Sequence, residues 1–207
     1  MLRIGLTGGV ACGKSTIAAM LVKHGAYYLQ ADSLAHQLYA PGTPTYDKVV
    51  RRFGRGILNP DGSIHLARLA DVAFPGRIGE LNEIVHPEVV KAQTAWMEQI
   101  AHKDPRAIAV VEAALLIEVG AAKDFDKVIV VTCSFEHKVK HFTERTNASP
   151  EAARAEVARR SAAQFTDEEK TRYADYVIDN SGSLEDTEQQ VDHVWNELQQ
   201  SLTRKRQ

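Results

Sequence analysis

Residues 8 to 15 of this chain read Gly-Gly-Val-Ala-Cys-Gly-Lys-Ser, and this glycine-rich stretch decides the fold. A short apolar segment, residues 2–6, precedes it. Residues 14–24 follow it with the apolar spacing of one buried helix face, at Ile17, Met20 and Leu21. Glycines let successive N–H groups point inward at the positive end of a helix, which suits phosphate oxygens. This position between strand and helix predicts a phosphate-binding loop rather than a glycine-rich turn with an incidental lysine. Lys14 is expected to reach the β- and γ-phosphates and Ser15 to hold Mg²⁺.

The composition is ordinary for a globular protein. The 207 residues are 44% hydrophobic and 25% charged, which suits one domain or a core with small inserted subdomains. A formal net charge of -2 gives no overall field that would attract nucleic acid, so local groups must hold any anionic ligand. No apolar run approaches the roughly 20 residues of a membrane span, and no secretory signal or disulfide framework is evident. We expect a reduced, cytoplasmic protein, a monomer or small homo-oligomer, without nucleic-acid or membrane partners.

Five short apolar segments alternate with helical patterns along the chain. Such segments indicate an α/β fold with a parallel sheet covered by helices on both faces. Right-handed crossovers place the carboxyl ends of all strands at one edge, where ligands bind in such sheets. The glycine loop, Asp32, Glu112 and Thr132 fall at these ends. The five predicted strands are residues 2–6, 27–29, 108–111, 127–132 and 176–178.

The remaining segments carry their own expectations. Residues 40–65 predict loops around one short helix near 46–53. Residues 66–102 predict helices broken at Pro75-Gly76 and at His86-Pro87. Asp32 or Ser33 is expected to cap the helix after the second strand. Helices are also expected over 135–146 and 150–163, and at the C-terminus with an apolar stripe of Leu184, Thr187, Val191, Val194, Trp195 and Leu198.

Two carboxylates follow predicted strands. Asp32 should lie across the crevice from the loop, where it can accept a proton from an attacking hydroxyl or orient the water shell of a metal. A helix cap is the alternative for this residue. Glu112 ends an apolar strand, where phosphate-loop enzymes place an acid near the magnesium shell. A polar strand end is the alternative there.

Basic residues concentrate in the two helices predicted over 135–163. Arginines can stabilise the charge on a phosphoryl group in transfer if their helices close over the site as a lid. A solvated helix face is the alternative, and it is the one that we favour for most of them. The residues are Lys138, Lys140, His141, Arg145, Arg154, Arg159 and Arg160.

Several further motifs, taken in order with the loop, resemble the dephospho-CoA kinase family, which is similar to the nucleoside monophosphate kinases. The resemblance runs across almost the whole chain, and its most particular motifs lie outside the loop. They are Ala31-Asp32, Leu81-Asn82-x-x-Val85-His86-Pro87, Leu115-Leu116-x-Glu118, Arg145, Gln164 and Ile178-x-Asn180.

The resemblance implies an architecture and a reaction. The architecture is a three-layer α/β/α core with a five-stranded parallel sheet (residues 1–31, 105–134 and 171–207), a helical CoA-binding region (about 32–104) and a lid (about 135–170). The reaction is transfer of the γ-phosphate of ATP, with Mg²⁺, to the 3′-hydroxyl of dephospho-CoA. The product is coenzyme A, and the reaction is the last step of its synthesis.

The resemblance also implies roles for single residues. Lys14, Asp32 and Arg145 would be catalytic, with Asp32 as the base and Arg145 closing from the lid. Ser15 would bind Mg²⁺, with Asp32 or Glu112 acting through water. The acceptor would be bound by Asp32, His86, Pro87, Leu115, Leu116 and Glu118. ATP would be bound by Gly8, Gly9, Ala11, Cys12, Gly13, Lys14, Ser15, Thr16 and Asn180, the last near the adenine.

The sequence departs from the usual family pattern at several positions. Ala11-Cys12 stands where Gly-Ser is usual, and alanine restricts the backbone without removing its N–H donor. A thiol near a helix N-terminus can have a lowered pKa and be oxidised, although a small filler in place of serine is the plainer interpretation of Cys12. The other departures are Leu66 (in a stretch that usually carries arginine), Glu112 (usually Asp), Ala114 (Pro), Lys138 (Gln) and His141 (Arg).

Three other functions fit parts of this pattern. Another small-molecule kinase would share Lys14 and Ser15 and differ in the acceptor region, 32–118. A nucleotide-dependent switch is the second, but the Asn-Lys-x-Asp motif that reads guanine in small GTPases does not occur. A degenerate kinase acting as a scaffold is disfavoured because Lys14, Ser15, Asp32 and Arg145 are all present.

Overall fold

The computed structural model describes residues 1–74 and 76–204. Within these ranges the chain forms five strands and nine α-helices, with short 3₁₀ turns at Arg55–Ile57 and Ala121–Asp124. The elements are β1 (Leu2–Gly8), α1 (Lys14–Lys23), β2 (Tyr27–Gln30), α2 (Ala31–Leu38), α3 (Pro44–Phe53), α4 (Leu66–Ala73), α5 (Ile78–Lys103), β3 (Ile108–Glu112), β4 (Lys127–Thr132), α6 (Phe135–Thr146), α7 (Pro150–Ser161), α8 (Asp167–Thr171), β5 (Tyr176–Asp179) and α9 (Leu184–Arg204).

The strands form one parallel sheet in the order β2-β3-β1-β4-β5. The central strand β1 places Ile4 opposite Val110 of β3 and Lys127 of β4. At the far edge, Thr132 of β4 is paired with Asp179 of β5. The predicted parallel α/β sheet is confirmed, and each strand lies within two residues of its predicted bounds.

Successive residues of β1 face opposite sides of the sheet, as the pleat requires. Ile4 and Leu6 have no exposed surface and enter one core. Gly5, between them, is packed against Leu116 and Phe125 on the other side. The first face is covered by α1 and α9 through the buried side chains of Ile17, Leu21, Val191 and Leu198. The result is a three-layer α/β fold.

The long helix α5 corrects one prediction. It continues through Pro87, so the break expected at His86-Pro87 is wrong. Proline removes one backbone donor from a helix, but Leu81 and Val85 before it and Met97 after it are buried, and their packing holds both halves of the helix. The other expected break separates α4 from α5, although Pro75 itself lies outside the described residues.

The start of α2 differs from the prediction that Asp32 or Ser33 caps this helix. The helix begins at Ala31, directly after β2, and Gln30 occupies the cap position without a side-chain cap. Asp32 lies within the first turn, where a negative charge is favourable, and the Ser33 hydroxyl donates a hydrogen bond to Gln30 Oε1 at 2.8 Å. Neither Asp32 nor Ser33 is the cap, because the strand passes into the helix with no residue between them.

The predicted apolar stripe of α9 is confirmed in its interior. Thr187, Val191, Val194 and Leu198 are buried. The first residue of the stripe, Leu184, is 61% exposed, because the helix begins at that residue and the buried face starts one turn later.

The chain divides into two compact units. The first contains Met1–Leu29 and the chain from Ile100 onward, with the sheet core described above. The second is Gln30–Gln99, whose own core includes Val49, Ile57 and Leu69. Among the described helices, none is both long and apolar enough to cross a membrane.

Candidate active site

Two glycines of the loop occupy backbone positions that a side chain would block. Gly8 has a φ of 153°, and a Cβ there would collide with the carbonyl oxygen of Val131 on β4. Gly13 has a φ of 87°, and a Cβ there would collide with the side-chain amide nitrogen of Asn180. These close approaches fix the loop against the carboxyl ends of β4 and β5, and only glycine permits them.

The loop runs directly into α1. Gly13 is the cap residue of the helix, and no side chain caps it, so no side chain competes for the amides of the first turn. The Nζ atom of Lys14 donates to the carbonyl oxygens of Gly8 at 3.2 Å and Gly9 at 3.0 Å. The ammonium therefore lies over the loop, at the positive end of the helix, where a phosphate chain is favoured.

A cavity of about 550 Å³ opens beside this loop. The loop, the start of α1 and Glu112 from the end of β3 line part of it. Helix α6 lines it with ionisable side chains that recur at helical spacing, with Glu144 among them. The lining residues are Ala11, Gly13, Lys14, Ser15, Thr16, Glu112, His137, Lys140, His141, Glu144, Arg145, Asn180, Gly182 and Leu184. All belong to the first unit.

Helix α6 packs against the loop and is hydrogen-bonded to it. Val10 of the loop shares a small core with Val139 and Phe142 of α6 and with α7. His141 Nδ1 donates to the carbonyl oxygen of Ala11 at 3.0 Å, so two positions that depart from the family pattern are in contact. Ala11 has a φ of 55°, which costs alanine about 1–2 kcal/mol. The part of the cavity lining that α6 provides is therefore held by direct contacts with the loop.

The basic residues of α6 and α7 fall into two groups. A solvated helix face was the interpretation that we favoured for most of these residues, and Lys138 does not fit it. Its side chain is 11% exposed and forms an ion pair with Asp167 at 2.8 Å, beside Gly9. Arg154 is exposed and pairs with Glu136, and the arginines at 159 and 160 both pair with Glu156. These contacts match the solvated alternative.

Arg145 differs from its neighbours. It lines the cavity, and its guanidinium lies 5.4 Å from the centre of the Phe142 ring. Within residues 1–74 and 76–204, no ion pair joins it to a carboxylate. The cavity lining therefore includes a guanidinium that no carboxylate of the described residues neutralises.

Glu112, at the end of β3, is one of two carboxylates that line the cavity, and Glu144 of α6 is the other. The residue is 7% exposed, and its Oε2 atom accepts a hydrogen bond of 2.6 Å from the hydroxyl of Tyr28 on β2. Sequence reasoning found Glu112 but missed Tyr28, because nothing in the local pattern joins two residues 84 positions apart.

Cys12 has no exposed surface and packs in the main core. A hydrogen bond from the buried thiol of Cys133 lowers the pKa of Cys12, and the charge of Lys138 lowers it further, against the opposing effect of burial. The same contact raises the pKa of Cys133. Because Cys12 is sealed from solvent, its burial favours the small-filler interpretation over an oxidisable thiol.

The side chain of Asn180 is hydrogen-bonded to the loop. Its Nδ2 atom donates to the Cys12 carbonyl oxygen at 2.9 Å, and its Oδ1 atom accepts from the Thr187 hydroxyl at 2.9 Å. The residue lines the cavity, and these two hydrogen bonds hold its side chain against the loop. Thr187, which fixes the amide, appeared in the sequence only as part of an apolar stripe.

The three residues of the Leu115-Leu116-x-Glu118 motif lie in different surroundings. Leu115 is 46% exposed and accessible to a ligand. Leu116 is 2% exposed and packs on Gly5, which argues against contact between its side chain and an acceptor. Glu118 Oε1 binds the fully buried Lys170 at 2.5 Å and accepts the Phe165 N–H at 3.0 Å. The Oε1 atom of Glu118 is therefore engaged in an internal ion pair, which argues against a direct part in substrate binding, and substrate binding by Glu118 stays a prediction.

The other expected acceptor residues belong to the second unit. Asp32 lies exposed in the first turn of α2. His86 and Pro87 are exposed on α5. All three side chains are accessible within that unit.

A loop of this kind after the central strand of a parallel sheet defines a nucleotide-binding protein of the P-loop class, and the Lys14 and Arg145 side chains that line its cavity are of the types that phosphoryl transfer uses. The comparisons give the family. Residues 2–186 match the family profile described as Dephospho-CoA kinase. The chain belongs to the dephospho-CoA kinase family.

Similar proteins extend over nearly the whole chain. A protein of Aquifex aeolicus (strain VF5) named Dephospho-CoA kinase is 42% identical over 200 residues, which cover 96% of this chain and 98% of that protein. The crystal structure of TT1252 from Thermus thermophilus has 32% identity and a TM-score of 0.77, covering 95% of this chain and 97% of the other. The structure of a dephospho-CoA kinase from Campylobacter jejuni has 26% identity and a TM-score of 0.68, covering 96% and 98%.

Proposed function

We propose that this chain transfers the γ-phosphate of ATP to the 3′-hydroxyl of dephospho-CoA and so forms coenzyme A, the final step of CoA biosynthesis. The observation that carries the proposal is that the glycine-rich loop with Lys14 lines the same cavity as Lys140 and Arg145 of α6. Family membership across residues 2–186 supports the choice of acceptor.

The residues of the cavity act mainly by position and charge. The loop amides and Lys14 bind the β- and γ-phosphates, and Thr16 supports the α-phosphate. Arg145 stabilises the charge that spreads over the equatorial oxygens during transfer. Asn180 holds the loop in the conformation that binds phosphate, through its bond to Cys12.

We propose Mg²⁺ as the divalent metal of the reaction. The Ser15 hydroxyl and the Glu112 carboxylate line the same cavity, and oxygen donors of these types fit this ion. Mg²⁺ keeps several waters and takes only one or two protein groups beside the phosphates, so Ser15 would bind it directly and Glu112 through water. Held there, the ion would supply positive charge that offsets the negative charge of the phosphates during transfer.

Of the expected acceptor residues, Asp32, His86, Pro87 and Leu115 are exposed, and we propose that these bind dephospho-CoA. Asp32 would accept the proton of the 3′-hydroxyl as phosphoryl transfer proceeds. His86 and Pro87 on α5 would contact the rest of dephospho-CoA. The proposed division of the chain is a sheet core, an acceptor region whose bounds are approximately those of Gln30–Gln99, and a lid formed by α6 and α7. The protein is proposed to work in the cytoplasm as a monomer or small homo-oligomer.

An acceptor panel tests this function. Purified protein with ATP and Mg²⁺ is given dephospho-CoA, nucleoside monophosphates and a sugar acid, and products are identified by mass spectrometry and by the position of the new phosphate in NMR. We expect phosphate only on the 3′-hydroxyl of dephospho-CoA, and no product from Lys14→Ala. Phosphorylation of a nucleoside monophosphate without reaction of dephospho-CoA would overturn the assignment.

A further inference from the structure

The hydroxyl of Tyr28 contacts Glu112, and the reaction proposed above assigns Tyr28 no role. Its hydroxyl donates a hydrogen bond of 2.6 Å to Glu112 Oε2. Tyr28 comes from β2 and Glu112 from the end of β3, which are neighbouring strands of the sheet. The bond therefore crosses between two rigid elements at the edge where the phosphate cavity opens.

The contact has a specific consequence for the side chain of Glu112. Glutamate has one more torsion than the aspartate that is usual in the family at this position, so its carboxylate can take more positions. A bond to one oxygen restricts the carboxylate to the positions that keep that bond. Glu112 lines the cavity together with Ser15, so the residue whose carboxylate is restricted lies in the same cavity as that hydroxyl.

We propose that Tyr28 is a positioning residue, which holds Glu112 where its carboxylate can bind the water shell of the nucleotide-bound metal. The inference rests on the proposed function, because it needs the metal site at Ser15. Groups that orient a metal-binding carboxylate commonly change metal affinity or activity about 10–100-fold when they are removed. Tyr28 acts through Glu112 and does not itself touch the substrate.

A purely structural part for Tyr28 is the competing explanation. Its ring is partly buried and packs against the main core, so a change at this position could act through stability alone. Tyr28→Phe keeps the ring and removes only the hydroxyl. The neighbouring Tyr27 offers a matched control, since Tyr27→Phe makes the same chemical change on the same strand.

The test is a double-mutant cycle of Tyr28→Phe and Glu112→Ala, because alanine removes the oxygen that accepts the Tyr28 hydroxyl. The Mg²⁺ concentration that half-saturates binding of a fluorescent ADP analogue is measured for each variant, together with the melting temperature. We expect Tyr28→Phe to raise this concentration about 10-fold, with Tyr27→Phe at the wild-type value. In the Glu112→Ala background, Tyr28→Phe should have almost no further effect.

Two results would overturn the inference. One is an equal effect of Tyr28→Phe with and without Glu112, which would show that the hydroxyl acts elsewhere. The other is a change in melting temperature with no change in the Mg²⁺ requirement. Failure of the proposed function is separate, because it would appear in wild-type protein as nucleotide binding that does not depend on Mg²⁺, or as no phosphorylation of dephospho-CoA.

Discussion

Lys170→Met breaks a buried ion pair, and its cost can be worked from the structure. The Lys170 side chain has no exposed surface and that of Glu118 is 13% exposed, with 2.5 Å between Nζ and Oε1. Removing one partner of such a pair leaves a buried charge uncompensated, at about 3–5 kcal/mol of unfolding free energy. For a chain of this size, each kcal/mol lowers the melting temperature by about 2–4 °C, so we expect a fall of roughly 6–20 °C.

The matched variant is Glu118→Gln, which leaves the lysine without its counter-ion. Gln retains an oxygen that can accept the Phe165 N–H, so the loss is mainly that of charge. In the double variant neither charge remains, and we expect it to be less destabilised than either single change. Urea unfolding measures the free energies, and calorimetry measures the melting temperatures.

The same variants test whether Glu118 binds substrate. The ion pair predicts that Glu118→Gln, assayed well below its melting temperature, keeps its KM for dephospho-CoA. Additive free energies in the double variant would refute the coupling of Lys170 with Glu118. A large rise in KM with unchanged stability would return Glu118 to the acceptor site.

Four other substitutions test single parts of the site. Lys14→Ala should abolish turnover and leave the circular dichroism spectrum unchanged. Arg145→Ala should lower kcat about 10³-fold, whereas Arg154→Ala, which removes an exposed ion pair of α7, should leave kcat near wild type. Gly13→Ala should abolish ATP binding in a titration, because its φ of 87° and the adjacent amide of Asn180 exclude a Cβ. Asp32→Asn should lower kcat with little change in the Kd for ATP; a near wild-type kcat would remove Asp32 as the base.

The sequence predicted the parts of the fold and site that depend on local pattern. The loop, the strand before it and the helix after it follow from glycine spacing, a short apolar run and the spacing of apolar residues in the helix. The strand ends also located Glu112, because parallel strands bring their carboxyl ends to one edge. Asn180 was found through a motif, and its bond to the Cys12 carbonyl lies beyond what spacing can show.

The partners of these residues were not predictable, because they come from distant parts of the chain. Lys138 and Asp167 are 29 positions apart, and Lys170 and Glu118 are 52 apart. A motif also does not tell which way a side chain points, so Leu116 reads like a pocket residue although it is in the core. The expected break at Pro87 failed for a related reason, since packing of the whole helix outweighs one missing hydrogen bond.

The most direct measurement is a crystal structure of the protein with Mg²⁺ and a non-hydrolysable ATP analogue. The account predicts the triphosphate on the backbone amides of the loop 8–15, the metal against the Ser15 hydroxyl, and Arg145 facing the γ-phosphate from α6. A nucleotide bound elsewhere on the chain, with the loop cavity holding no phosphate, would contradict it.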